Sequence, residues 1–107
     1  GTQVIAFGHL GDGNIHYHVK APQGVTAENW YRDFAASISA DVYDRVVAYG
    51  GSISAEHGIG QAKIAEFART SDPARLGALR AIKNALDPYC IMNPGKLVPL
   101  ASAGLDA

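Results

Sequence analysis

Two short β-prone segments lie on either side of a glycine-rich turn, and they limit most strongly the folds that this chain can adopt. Residues 3–7 read QVIAF and residues 15–20 read IHYHVK, both rich in β-branched and aromatic residues. Between them, GHLGDGN has the composition of a tight turn. We therefore predict two antiparallel strands joined by this turn.

Alternation along the second segment predicts which side chains share a face. Residues two apart in a strand point the same way, so His16 and His18 lie together. The opposite face suits a core and carries Ile15, Tyr17 and Val19. The turn also brings His9 back towards His16.

The remainder of the chain is predicted to be mostly helical. A long helix over residues 27–49 begins at Thr26, its N-cap, and ends at Gly50-Gly51. Its apolar stripe has i+3/i+4 spacing and is expected to pack on a core. The stripe consists of Trp30, Phe34, Ile38, Val42, Val46 and Tyr49.

Shorter elements are predicted after this helix. Residues 52–54 form a short strand, and residues 61–69 a short helix. Asp72 and Pro73 start another helix, which Asp87-Pro88 ends. The buried face of that helix consists of Leu76, Leu79, Ile82 or Lys83, and Leu86.

This order of elements predicts an α+β fold, with antiparallel strands packed against helices. A two-stranded sheet is not stable alone, so the sheet is expected to be part of something larger. We predict one domain over residues 1–100 and a frayed tail over residues 101–107.

Composition excludes several classes of function. The net charge of −1, without blocks of like charge, gives no support for nucleic-acid binding. No apolar run reaches the length of about 20 residues that a membrane span needs. The single cysteine, Cys90, excludes an internal disulfide framework and is expected to be a small buried residue.

The histidines and one glutamate have the chemistry of a divalent metal site. Two histidines and a carboxylate bind zinc and leave positions open for water or substrate. The candidates are His9, His16, Glu56, and either His18 or His57. Adjacent loop residues diverge, so one of Glu56 and His57 binds metal while the other handles a proton. The alternative for GDGN is an ordinary hairpin turn, and its spacing matches no calcium loop, P-loop or dinucleotide loop.

Three strings in this order carry a family resemblance: GHLGDGNIH, SAEHGIGQAK and LDPYCIMNPGK. Together they resemble the C-terminal part of the FAD-linked oxidases of the vanillyl-alcohol-oxidase superfamily. Within that superfamily they resemble the branch that contains D-lactate dehydrogenase, the glycolate oxidase flavoprotein subunit and D-2-hydroxyglutarate dehydrogenase. The resemblance spans about residues 5–98 and implies part of that family's cap domain.

The resemblance also implies roles for individual residues. His9, His16 and Glu56 would bind a divalent ion, usually zinc, and His57 would be the general base that also contacts substrate. Asn93 and Glu56 would lie near the flavin ring. His18 stands where hydroxyglutarate-type relatives have a substrate-contacting asparagine, which leaves the identity of the substrate open.

The implied function is that of an FAD-dependent D-2-hydroxyacid dehydrogenase acting on D-lactate, glycolate or D-2-hydroxyglutarate. FAD would be bound mainly by an N-terminal domain that these residues lack, so the chain alone is expected to be inactive. Electrons would pass to a quinone, a cytochrome or an electron-transfer flavoprotein, and homodimerisation is one option. The expected location is cytoplasmic or peripheral to a membrane, or the mitochondrial matrix in a eukaryote. The alternatives are a metal-dependent hydrolase and a non-catalytic metal-binding module.

Overall fold

The computed structural model describes residues 1–99 and confirms the predicted α+β architecture. Its elements are β1 Gln3–His9, β2 Asn14–Lys20, α1 Ala27–Ala48, α2 Ile64–Thr70 and α3 Pro73–Leu86. The chain divides into two compact units, Gly1–Val42 and the remainder from Tyr43 onwards. The tail predicted over residues 101–107 lies outside the described residues.

In the first unit, β1 and β2 form the predicted antiparallel pair. Phe7 is registered with His16 and His9 with Asn14, so these four side chains share one face. The connecting turn is closed by a hydrogen bond from the amide of Asp12 to the carbonyl of His9, at 3.1 Å. The amide of His9 in turn donates to the side-chain oxygen of Asn14, at 3.0 Å. Both strands extend towards the turn beyond their predicted ends.

The opposite face of the sheet is less covered than predicted. Val4 and Tyr17 line an open groove with Trp30 and Phe34 of α1. Tyr17 is 49% exposed, and Ile15 is 70% exposed. The prediction that this face belongs to a core was therefore wrong for these two residues, because two strands and one helix offer too little surface to enclose it.

The residues that cap α1 are those predicted, and the helix ends at Ala48, one residue before its predicted end. The hydroxyl of Thr26 accepts a hydrogen bond from the amide of Asn29 at 3.4 Å, as an N-cap does. At the other end Gly50 has φ 74°, and its amide donates to the carbonyl of Val47 at 2.9 Å. The amide of Gly51 donates to the carbonyl of Val46 at 2.8 Å, which completes a Schellman cap.

The predicted apolar stripe of α1 is only half-buried, and no residue of the helix is fully buried. Trp30, Ile38, Val42 and Val46 have intermediate exposure. Phe34 is 45% exposed and Tyr49 is 93% exposed. Periodicity predicted the helix correctly but overestimated its burial, since periodicity does not reveal what covers a face.

The second unit has a small core of Ile53, Phe67 and Leu76. Residues 52–54 are irregular rather than the predicted strand. The hydroxyl of Ser52 donates to the carbonyl of Ser54 and accepts from its amide, so local bonds replace strand pairing. The turn over residues 60–63 delays the start of α2 to Ile64.

The α3 helix begins and ends as predicted. Asp72 caps it by accepting a hydrogen bond from the amide of Ala74 at 2.7 Å, with Pro73 in the first turn. Leu76 is buried, but Leu86 is 78% exposed, so the predicted buried face was wrong at its C-terminal end. Cys90 is exposed rather than buried, because it lies in a turn beyond the helix. Within residues 1–99, no helix is long and apolar enough to cross a membrane.

Candidate functional site

The first unit presents three histidines on one face of its sheet. The ring centres of His9 and His16 are 6.0 Å apart in an edge-on arrangement. The ring of Phe7 stacks against His16 at 5.1 Å and against His18 at 5.5 Å. The strand register creates this cluster, since Phe7 lies directly across from His16. The predicted approach of His9 to His16 is confirmed.

The spacing of His9 and His16 fits two ligands of one divalent ion. Zinc lies about 2.1 Å from an imidazole nitrogen and about 3.2 Å from the ring centre, so two bound rings at a tetrahedral angle have centres about 5–6 Å apart. The observed separation of 6.0 Å is in that range. The separation of the two rings is therefore compatible with two nitrogen ligands of one ion.

The second unit holds Glu56 and His57 in a closed loop. The hydroxyl of Ser54 donates to the carbonyl of Gly58 at 2.6 Å, which bridges the ends of the AEHG segment. Both Glu56 and His57 are exposed at the tip of this loop. The loop therefore presents a carboxylate and an imidazole from adjacent positions on a braced backbone.

The end of the segment Asn93-Pro94-Gly95-Lys96 is bonded to Gly60 and Gln61, which follow this loop in the same unit. The amide of Leu97 donates to the carbonyl of Gly60 at 2.9 Å. The Lys96 ammonium group donates to the side-chain oxygen of Gln61. Asn93 is exposed with φ 46°, a left-handed conformation that asparagine tolerates better than most residues. The second and third sequence strings are thus joined by the bond from Lys96 to Gln61, and the bond of the adjacent Leu97 adds to it.

A buried carboxylate binds the backbone of the residues that precede Asn93. Asp87 is only 6% exposed, and its oxygens accept hydrogen bonds from the amides of Ile91 at 3.0 Å and Met92 at 2.9 Å. The ammonium group of Lys83 also donates to it. The hydrogen bond from Lys83, together with the two backbone amides, holds the pKa of Asp87 below its ordinary value, against the opposing effect of burial.

Several of these residues were missed by sequence reasoning. Phe7 was assigned only to a strand, because its stacking depends on the strand register. Ser54 was included in a false strand. Asp87 was interpreted only as a helix stop, although Lys83 four residues earlier is a recognisable ion-pair spacing on a helix.

A family comparison decides where this chain belongs. The family model for the C-terminal domain of FAD-linked oxidases matches residues 1–97. The chain belongs to the FAD-linked oxidase C-terminal domain family. The predicted resemblance is therefore confirmed, and FAD is the cofactor after which the family is named.

The relatives of this FAD-linked oxidase domain include enzymes named for two D-2-hydroxyacids. It is 37% identical to D-2-hydroxyglutarate dehydrogenase of Stutzerimonas stutzeri, over 89% of the chain and 20% of the relative. It is 35% identical to D-lactate dehydrogenase of Anaerostipes hadrus, over 89% of the chain and 20% of the relative. It is 40% identical to D-lactate dehydrogenase of Archaeoglobus fulgidus, over 92% of the chain and 20% of the relative. The chain spans about one fifth of the length of these relatives.

Proposed function

We propose that the protein containing this chain is a flavin-dependent D-2-hydroxyacid dehydrogenase. The observation that carries this proposal is the family match over residues 1–97, together with relatives named for D-2-hydroxyglutarate and D-lactate. The candidate substrates are D-lactate, glycolate and D-2-hydroxyglutarate. This chain would contribute the substrate- and metal-binding portion.

We propose that His9, His16 and Glu56 bind a divalent metal ion, with zinc as the first candidate. The 6.0 Å separation of the two imidazole rings supports the first two ligands. Glu56 supplies the carboxylate that commonly completes a three-ligand catalytic site with an open position. His18 is then proposed to contact substrate, since it shares a sheet face with His16 and stacks on Phe7.

The residues of the second unit fit a flavin ring but not the whole cofactor. The side-chain amide of Asn93 offers both donors and an acceptor, as the polar edge of a flavin requires. Its exposure and its braced backbone support a role at the ring, where Glu56 is proposed to lie as well. The sequence contains no phosphate-binding glycine loop of a known type, so the remaining part of the protein would hold most of the FAD.

In this mechanism His57 accepts the hydroxyl proton of the 2-hydroxy acid and the resulting 2-oxo acid is released. A histidine suits this step because its pKa ordinarily lies near neutrality. When bound, the metal would acidify the hydroxyl and the flavin would accept the hydride from C2. His18 orients the substrate on the sheet face, and the braced Ser54–Gly58 loop fixes the proton acceptor.

A direct test uses the whole flavoprotein and measures flavin absorbance after mixing with each candidate substrate under anaerobic conditions. We expect bleaching with at least one of D-lactate, glycolate and D-2-hydroxyglutarate, and none with L-lactate or L-2-hydroxyglutarate. A protein that retains FAD but is bleached by none of them would refute the dehydrogenase. A metal-dependent hydrolase would instead show substrate cleavage without any change in flavin absorbance.

The same proposal requires an electron acceptor for the reduced flavin. A quinone, a cytochrome or an electron-transfer flavoprotein would reoxidise the flavin, and each can be tested by adding it to the bleached enzyme. A cytoplasmic, membrane-peripheral or mitochondrial location and a homodimeric state are proposed with the same function.

A further inference from the structure

The residue that precedes Asn93 is held at both of its backbone polar groups. The amide of Met92 donates to Asp87 at 2.9 Å, and the carbonyl of Met92 accepts from the ammonium group of Lys83. Asp87 and Lys83 also bond to each other. These three contacts form a closed ring of hydrogen bonds around a single residue of the loop.

The loop beyond Asp87 needs this support. Cys90, Asn93 and Leu97 all have positive φ, at 52°, 46° and 65°. Such conformations are unfavourable for residues other than glycine and persist only when neighbouring contacts fix them. The side chain of Asp87 accepts hydrogen bonds from the amides of Ile91 and Met92, which lie between Cys90 and Asn93, so it is well placed to fix these two residues.

We propose that Lys83 and Asp87 are a positioning pair that holds Asn93 in its orientation towards the flavin ring. This inference rests on the proposed function, because it takes Asn93 to contact the ring. Neither Lys83 nor Asp87 is proposed to touch flavin or substrate. Their effect passes through the backbone of Met92, whose carbonyl carbon is bonded directly to the nitrogen of Asn93.

The first test compares Asp87→Asn and Lys83→Met with wild type in the whole FAD-containing protein. An asparagine amide would direct N–H groups at amide donors or at the ammonium group, and methionine keeps the apolar stem of lysine without its charge. We expect flavin reduction per bound FAD to slow by about 10-fold to 10²-fold, the range for a displacement of about 1 Å at a reacting site. The visible circular dichroism of the bound flavin should change as well, while KM changes by less than kcat.

Arg69→Met is the matched control. It removes ion pairs to Asp44 at 2.6 Å and Glu66 at 2.7 Å in the same unit, and neither partner belongs to the segment around Asn93. We expect wild-type flavin dichroism and reduction rate per bound FAD in this variant. Equal losses in Arg69→Met and Asp87→Asn would mean that general destabilisation explains both, and would overturn the proposal.

A double-mutant cycle with Asn93→Ala tests whether Asp87 acts through Asn93. If it does, Asp87→Asn should slow the Asn93→Ala enzyme by less than about 2-fold, since coupled residues are not additive. The same 10-fold to 10²-fold loss in both backgrounds would show an independent effect and overturn the proposal. Lys83→Met gives the same comparison should Asp87→Asn fail to fold. A wild-type protein that binds FAD without being reduced would refute the dehydrogenase alone, because the flavin dichroism still tests the pair.

Discussion

Gly8→Ala should open the β1–β2 pair beside the histidine cluster. A Cβ atom at Gly8 would lie 2.0 Å from the carbonyl oxygen of Asn14 and 3.0 Å from Cα of Ile15, both backbone atoms of the partner strand. An ordinary carbon–oxygen contact is about 3.3 Å, so the strands must separate locally by about 1.3 Å. Overpacking of this kind costs about 1–3 kcal/mol, and a lost ladder hydrogen bond adds about 1 kcal/mol. We therefore expect a destabilisation of about 2–4 kcal/mol.

Amide hydrogen exchange of residues 3–20 in the whole flavoprotein measures this effect locally. A destabilisation of about 2–4 kcal/mol corresponds to exchange faster by about 30-fold to 10³-fold, since each 1.36 kcal/mol is tenfold. The separation would also move His9 away from His16, whose rings are 6.0 Å apart. Metal retained after dialysis should therefore fall in the same variant.

The turn between β1 and β2 offers two control positions with smaller expected effects. A Cβ atom added at Gly11 would meet nothing within 4 Å, and Gly11 has no positive φ, so Gly11→Ala should change exchange by less than about 3-fold. Gly13 also has open space but φ 65°, and an alanine there costs about 1–2 kcal/mol, or about 5-fold to 30-fold. Equal exchange in Gly8→Ala and Gly11→Ala would refute the steric reasoning.

Local patterns predicted the first unit well. Alternation placed His16 and His18 on one face, and the turn composition returned His9 to His16. These features depend on residues that are close together in the chain, so the local sequence is enough to predict them. The stacking of Phe7 could not be predicted, because it depends on which residue of one strand opposes which residue of the other.

Predictions that depended on distant partners were weaker. The segment Ser52-Ile53-Ser54 has the composition of a short strand, but a strand needs a second strand to pair with. In the structure Ile53 instead packs on Phe67 and Leu76. Ligand chemistry predicted that one of Glu56 and His57 binds metal and the other handles a proton, but only the family resemblance implied which residue does which. The contacts of Asp87 were not predicted, because its position at the end of a predicted helix already accounted for the residue as a helix-ending one.

Three further predictions concern single side chains. His57→Ala should retain flavin and metal but slow flavin reduction by about 10²–10⁴-fold, the range for a lost general base, whereas Glu56→Gln should lose metal on dialysis. Stopped-flow absorbance and metal analysis separate them, and the reverse pattern would exchange the two roles. Asp72→Ala should destabilise this domain by about 1 kcal/mol in thermal unfolding, because it removes the α3 cap; Asp72→Ser should recover most of that loss, and an unchanged transition in the alanine variant would contradict the capping role. The third prediction is that Asp87→Asn is less stable than wild type by an amount that depends on pH. Folding lowers the pKa of Asp87 below its usual 3.8, so its stabilising effect is complete above that value and is lost as the pH falls through the folded-state pKa. The difference in thermal midpoint should stay constant from about pH 8 to 5 and shrink below about pH 4. A difference that stays the same or grows in acid would mean that the ionised carboxylate of Asp87 is not what stabilises the loop.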